Sequence, residues 1–185
     1  MVLRQLPNVL TLIRLLASPF LAWLILQSRF REALSLLVLA SLTDWFDGFA
    51  ARRLNATGRL GVILDPLADK TMLVTLFVTL TVIGLIPVWL LLLIIGRDLV
   101  ILTGALLLRI FRHVPKFVPT TLGKISTFFQ IVLVLLVLLE SCFPYRAFFL
   151  FRMSALALST FFTGASGVDY VRLGLQMADR RATAQ

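Results

Sequence analysis

Asp44-Trp45-Phe46-Asp47-Gly48-Phe49-Ala50-Ala51-Arg52, then eight residues, then Gly61-Val62-Ile63-Leu64-Asp65-Pro66-Leu67-Ala68-Asp69: this stretch decides how the chain is read. Four of the nine acidic residues in a chain of 185 fall here, in and between apolar runs. A carboxylate at the centre of a membrane helix costs roughly 2.5–3.5 kcal/mol. Four of them near one membrane surface need a compensating partner, and a pair of divalent cations is the most economical one.

Asp44 and Asp47 are three apart on one apolar run, hence on one helix face. Asp65 and Asp69 are four apart and share a face if a helix begins near Asp65, with Pro66 in its first turn, where the missing N–H is not needed. Two helices with a short connection would bring both carboxylate pairs into one cleft. Hard oxygen donors suit Mg²⁺, Mn²⁺ or Ca²⁺. No His or Cys lies near the stretch, which argues against zinc. Gly48, Ala51 and Gly61 leave room for close helix contact or for a flat ligand. Arg52 supplies a rigid positive fork suited to a phosphate.

The chain as a whole is apolar: 59% hydrophobic and 15% charged, with a mean hydropathy of +0.98. Soluble domains are nearer one quarter charged. The expectation is therefore an all-α integral membrane protein. About six transmembrane helices, at roughly 20 residues each, would form one bundle and one domain over residues 1–185. The runs are Val9–Gln27, Glu32–Ala51, Pro66–Ile83, Val88–Leu108, Thr121–Glu140 and Ala147–Val171. Asn8 reads as an N-cap of the first, and the polar tail after Arg172 as frayed. Residues 1–7 lack the h-region and cleavage site of a secretory signal, so the first run reads as a retained span. Cys142 is the single cysteine and excludes an intrachain disulfide.

Charge sets the orientation. With both termini inside, Arg4, Arg52, Arg53, Arg59, Arg109, Arg112, Lys116, Lys124, Arg172, Arg180 and Arg181 are cytoplasmic, against Arg29, Arg31, Arg146 and Arg152 outside. The aspartate cleft then faces the cytoplasm. The net charge of +9 also suits anionic headgroups or an anionic substrate. Trp23, Trp45 and Trp89 fit interfacial anchors or helix packing.

The gapped pattern Asp-x₂-Asp-Gly-x₂-Ala-Arg-x₈-Gly-x₃-Asp-x₃-Asp resembles the signature of the CDP-alcohol phosphatidyltransferases, and every position matches. The resemblance implies a six-helix membrane enzyme of multi-pass, bacterial inner-membrane type. It would transfer a phosphatidyl group from CDP-diacylglycerol to an alcohol and release CMP. It implies that Asp44, Asp47, Asp65 and Asp69 hold two Mg²⁺ or Mn²⁺ ions, that Asp69 is also the general base, and that Gly48, Ala51, Arg52 and Gly61 bind the CDP moiety. It also implies a homodimer in contact with membrane lipids, and no nucleic-acid partner.

For the acceptor, two subgroups compete. Leu6-Pro7-Asn8 through Arg14, and Leu42 through Phe49, resemble phosphatidylglycerophosphate synthases, which use glycerol 3-phosphate. Gly96-Arg97-Asp98 after Leu85-Ile86-Pro87, and Thr163 through Gly167 followed by Tyr170, resemble cardiolipin synthases, which use phosphatidylglycerol. The latter is favoured, because no second arginine follows Arg97 before Arg109. Arg97, Lys124 and Arg172 are the candidates for the acceptor phosphate. The blander partner for Arg97 is an aspartate such as Asp98. Ser159, Thr163 and Gly167 form a small-residue stripe that fits a dimer contact or packing within the bundle. A non-enzyme rival, a divalent-cation channel or carrier, explains the aspartates but not the Gly-x₂-Ala-Arg and Gly61 spacing.

Overall fold

The computed structural model describes the backbone over residues 6–54, 61–112 and 120–182, and side chains over 15–42, 68–104, 106, 120–174 and 176. Among the described residues it is all helical. The elements are α1 (Leu6–Leu26), α2 (Phe30–Leu54), α3 (Gly61–Val82), α4 (Val88–Arg112), α5 (Thr121–Cys142) and α6 (Arg146–Ala182). Each expected run corresponds to one helix.

Several boundaries differ from the sequence expectation, the larger differences being extensions. α1 begins at Leu6, so Asn8 lies inside the helix and not at its cap. α3 begins at Gly61, which places Pro66 beyond the first turn. Only the Val62 carbonyl loses its i+4 donor to the proline, so the helix runs through at the loss of a single hydrogen bond. α6 continues to Ala182, well past Arg172. Reading apolar runs measures the hydrophobic length of a helix. It does not measure the polar turns that continue beyond the apolar part.

The chain forms two compact units: Met1–Ile86 with Leu138–Pro144, and Pro87–Val137 with Tyr145–Gln185. In the first, α1 packs on both α2 and α3. Leu21, Leu24 and Ile25 of α1, Ala33 and Leu37 of α2, and Leu76, Phe77 and Leu80 of α3 are buried at helical spacing. α1 and α3 end alike. At Ser28 (φ 58°) and Gly84 (φ 78°) the backbone turns left-handed. The Arg29 N–H then donates to the Leu24 carbonyl and the Ser28 N–H to that of Ile25, while Leu85 donates to Leu80 and Gly84 to Thr81. This is the Schellman closure of a helix. Gly84 adopts it without a Cβ penalty, and Pro87 shortly after cannot prolong α3. Trp23, near the end of α1, is half exposed with the Arg29 guanidinium 5.6 Å from its ring centre.

In the second unit α4 packs on α6. α5 joins α6 through a buried polar ladder. Ser126 and Thr163 share a hydroxyl hydrogen bond of 2.9 Å, and the Gln130 Nε2 donates to Thr163 at 3.1 Å and to Ser126 at 3.3 Å. Leu92, Leu102 and Phe161 meanwhile point outward and are more than 60% exposed. Polar side chains inside and large apolar ones outside suit a lipid solvent, where interhelical hydrogen bonds and van der Waals packing hold helices together. By length and composition, the described parts of two helices can cross a membrane, Thr121–Cys142 and Arg146–Gly174. At 1.5 Å per residue, 22 residues span about 33 Å, against a hydrocarbon core of about 30 Å.

Candidate active site

The aspartate pairs lie where two helices of the first unit are joined by residues 55–60. α2 carries Asp44 and Asp47 one turn apart, followed by Gly48, Ala51 and Arg52 before it ends at Leu54. α3 opens on Gly61 and carries Asp65 and Asp69 at steps of four. The early start of α3 therefore puts Gly61 on the same helical stripe as both aspartates. The side chains of Asp44, Asp47, Gly48, Ala51, Arg52, Gly61 and Asp65 lie outside the described residues. Asp69 is described and exposed, while Ala68 beside it is buried, so α3 turns Ala68 to the core and Asp69 away from it.

The second unit holds a separate polar cluster around Arg97. Its side chain is only 8% exposed. The guanidinium donates from Nη1 to the Asp98 carboxylate at 2.8 Å, and from Nη2 and Nε to the Ser166 hydroxyl at 2.9 and 3.2 Å. It also lies 5.4 Å from the centre of the Tyr170 ring. The Tyr170 hydroxyl accepts the Thr120 N–H at 3.0 Å, and Thr120 caps α5 by accepting the Gly123 N–H at 3.1 Å. Arg97 is thus fixed by one charge, one hydroxyl and one aromatic face. The Asp98 pairing foreseen as the blander role is present.

Arg97 and Arg172 line one groove of about 430 Å³ between α4 and α6. Lys124 is exposed on α5 and is not among its lining residues. Of the three acceptor-phosphate candidates, the structure gathers two. Of the two readings of the small-residue stripe, packing within the bundle fits Ser159 and Thr163, which are fully buried, and Gly167, which lies against the Arg97 side chain. The sequence reading missed Ser166, Gly123 and Thr120 as parts of the Arg97 setting. Their signal is the polar series Ser159, Thr163, Ser166, Tyr170 at helical spacing in an apolar helix, which marks a face buried against other polar groups.

Gly123 shows how tight this setting is. A Cβ there would meet the Tyr170 hydroxyl at 2.8 Å and Arg97 Nη2 at 3.0 Å. At Gly104 a Cβ meets nothing within 4 Å. Gly123→Ala is therefore expected to destabilise by about 1–3 kcal/mol through overpacking. Gly104→Ala should be neutral or stabilising by up to about 1 kcal/mol. Thermal unfolding of both variants in detergent checks this, and equal melting temperatures would contradict the packing described.

Comparisons with known proteins bear on both clusters. Residues 4–164 match the sequence model of the family described as CDP-alcohol phosphatidyltransferase. Proteins named cardiolipin synthase (CMP-forming), from Rattus norvegicus and from Homo sapiens, are each 35% identical over 185 aligned residues, covering 91% of this chain. The chain spans 61% of the length of each of these relatives. A CDP-diacylglycerol--glycerol-3-phosphate 3-phosphatidyltransferase of Aquifex aeolicus (strain VF5) is 36% identical over 126 residues, 66% of this chain and 69% of that protein.

Proposed function

Because the chain belongs to the CDP-alcohol phosphatidyltransferase family, we propose that it transfers the phosphatidyl group of CDP-diacylglycerol to the hydroxyl of a phosphate-bearing alcohol, releasing CMP. The observation that carries this reading is the placement of the complete aspartate signature on α2 and α3, as two carboxylate pairs each one turn apart. The donor set is all carboxylate oxygen, which fits Mg²⁺ or Mn²⁺ and not a soft metal. Asp44, Asp47, Asp65 and Asp69 would hold two such ions. When bound, these would neutralise the diphosphate and the charge that develops on the leaving group.

The chain's own residues supply the rest. Gly48, Ala51 and Gly61 leave space for the cytidine and diphosphate, and Arg52 pairs with a phosphate oxygen. Asp69 takes the proton from the acceptor hydroxyl. That oxygen bonds to the β-phosphorus, the bond from this phosphorus to the bridging oxygen breaks, and CMP leaves with the electron pair. The chain is read as one multi-pass membrane domain of bacterial inner-membrane type, homodimeric, with the aspartates on the cytoplasmic side, as the arginine bias supports.

The acceptor we favour is phosphatidylglycerol, giving cardiolipin, with Arg97, Arg172 and Lys124 as the phosphate-binding set. Support comes from the names of the two mammalian relatives and from the absence of a second arginine between Arg97 and Arg109. The specific alternative is glycerol 3-phosphate, favoured by the name of the Aquifex relative. Purified protein in nanodiscs, given labelled CDP-diacylglycerol, Mg²⁺ and both acceptors, decides between them. The expected products are CMP and cardiolipin. A lipid product with a terminal phosphate monoester would transfer the assignment to glycerol 3-phosphate. No CMP with any phosphate-bearing alcohol would remove the enzyme reading altogether.

A further inference from the structure

The first turn of α5 carries half of a capping box. Thr120, at the N-cap, accepts the Gly123 N–H at 3.1 Å. In the complete motif a Glu or Gln at the third helical position returns a bond to the N-cap N–H. Gly123 holds that position and has no side chain with which to do so. The Tyr170 hydroxyl, from α6, accepts the Thr120 N–H instead, at 3.0 Å. The same residue, buried, sets its ring against the Arg97 guanidinium, 5.4 Å from the ring centre. A Cβ at position 123 would meet both, Tyr170 at 2.8 Å and Arg97 Nη2 at 3.0 Å. Gly123 thus gives up the ordinary cap, and a tyrosine and an arginine close on the helix end in its place.

On electrostatic grounds that closure is unfavourable by itself. A helix N-terminus carries partial positive charge, and Lys124, the next residue along α5, adds a full one. A guanidinium brought against this turn meets like charge on both counts. Asp98 and Ser166 hold the edge of the Arg97 guanidinium from α4 and α6. Tyr170 joins it to α5: the negative face of the ring takes the cation, and the phenol oxygen takes the cap N–H. We propose that Tyr170 is a positioning residue, which holds Arg97 in fixed register with the first turn of α5 and so keeps Arg97 and Lys124, on separate helices, ready for one phosphate. It rests on the reading of these two cations as ligands of the acceptor phosphate, and adds a residue that acts through them without touching the substrate. Spacing fixed beforehand leaves less to be ordered at the moment of binding. Loss of Tyr170 should therefore weaken acceptor binding and leave the CDP-diacylglycerol side alone.

The test uses the whole protein in nanodiscs with Mg²⁺, CDP-diacylglycerol and phosphatidylglycerol, or glycerol 3-phosphate if that is the acceptor turned over. Tyr170→Phe keeps the ring and loses the acceptor for the Thr120 N–H. Tyr170→Leu loses both. The KM for the phosphate-bearing acceptor is expected to rise about threefold in the first and about tenfold or more in the second. The kcat and the KM for CDP-diacylglycerol should not change. A merely structural role would lower kcat alone or move both KM values together, and either result overturns the proposal, as does a Leu variant no worse than the Phe variant. Hydrogen exchange gives a readout without turnover. Amides of residues 120–123 should exchange about fivefold or more faster in Tyr170→Phe, and unchanged protection also overturns it. This nearly isosteric variant decides alone if Tyr170→Leu does not fold. Wild-type CMP release is scored separately: its absence sinks the enzyme reading, whereas normal release with unchanged exchange in Tyr170→Phe sinks the role of Tyr170 alone.

Discussion

Asp69→Asn is expected to lower CMP release by about 10³-fold, within the usual range for loss of a general base, while CDP-diacylglycerol still binds. The substitution is nearly isosteric. Asparagine keeps one carbonyl oxygen that can face a cation, but it cannot take a proton. Asp69 stands on α3 with an exposed side chain beside buried Ala68, so the change alters no core packing. Asp69 has two proposed roles, and excess metal separates them. If it served only as a metal ligand, raising Mg²⁺ well above the wild-type requirement would restore turnover. If it is the base, saturating Mg²⁺ restores nucleotide binding and leaves the rate low. Asp44→Asn should show the opposite pattern, a raised Mg²⁺ requirement with substantial rate recovered at saturation. Wild-type turnover in Asp69→Asn, or its full rescue by metal, would remove Asp69 from the proton-transfer step.

The helices were legible because each is built on a long apolar run. Among the described residues the six runs coincide with six helices, and the breaks at Gly84–Pro87 and Phe143–Pro144 fall where a left-handed glycine or a proline ends a helix. Two of the misjudged ends show why others were not. The tail Arg172–Ala182 is helical although it is polar, and Gly61–Asp65 is helical although its apolar residues stand between a glycine and an Asp-Pro pair, which reads as a helix start. Pro66 was the specific trap: its preference for a first turn is real, but α3 begins five residues before it.

The aspartate signature was legible for the opposite reason. Its spacings are local, three and four residues on helices, and the chemistry of carboxylates in an apolar chain leaves few uses for them. The Arg97 setting was not local. Ser166 lies 69 residues away in sequence and Tyr170 meets Thr120 across 50. Only Asp98, the adjacent residue, could be named in advance. The inward turn of Ser159 and Thr163 was likewise undecidable from a stripe of small residues, which looks the same whether its partner is the same chain or another.

Removal of divalent cations with EDTA is expected to abolish turnover, and Mg²⁺ or Mn²⁺ to restore it, whereas Zn²⁺ should not at equal concentration. The reason begins with cost. Carboxylates in an apolar helix carry a penalty of roughly 2.5–3.5 kcal/mol each at mid-membrane, less toward the surface. Asp44 and Asp47 on α2 and Asp65 and Asp69 on α3 add mutual repulsion if the pairs converge. Cations that relieve this must also stabilise the folded protein, so the prediction has a readout besides activity. At a metal concentration 100 times its Kd, the stabilisation is about 2.7 kcal/mol per site, seen as a rise in melting temperature without any substrate. Asp44→Ala combined with Asp47→Ala should lose most of that rise. The two-ion model makes one further demand on kinetics. Below saturation, the rate should climb with a power of metal concentration above one, because both sites must fill before CMP can leave. Turnover in full chelation, or a melting temperature indifferent to Mg²⁺ in the wild type, would leave the four aspartates to a polar network and the model without its cations.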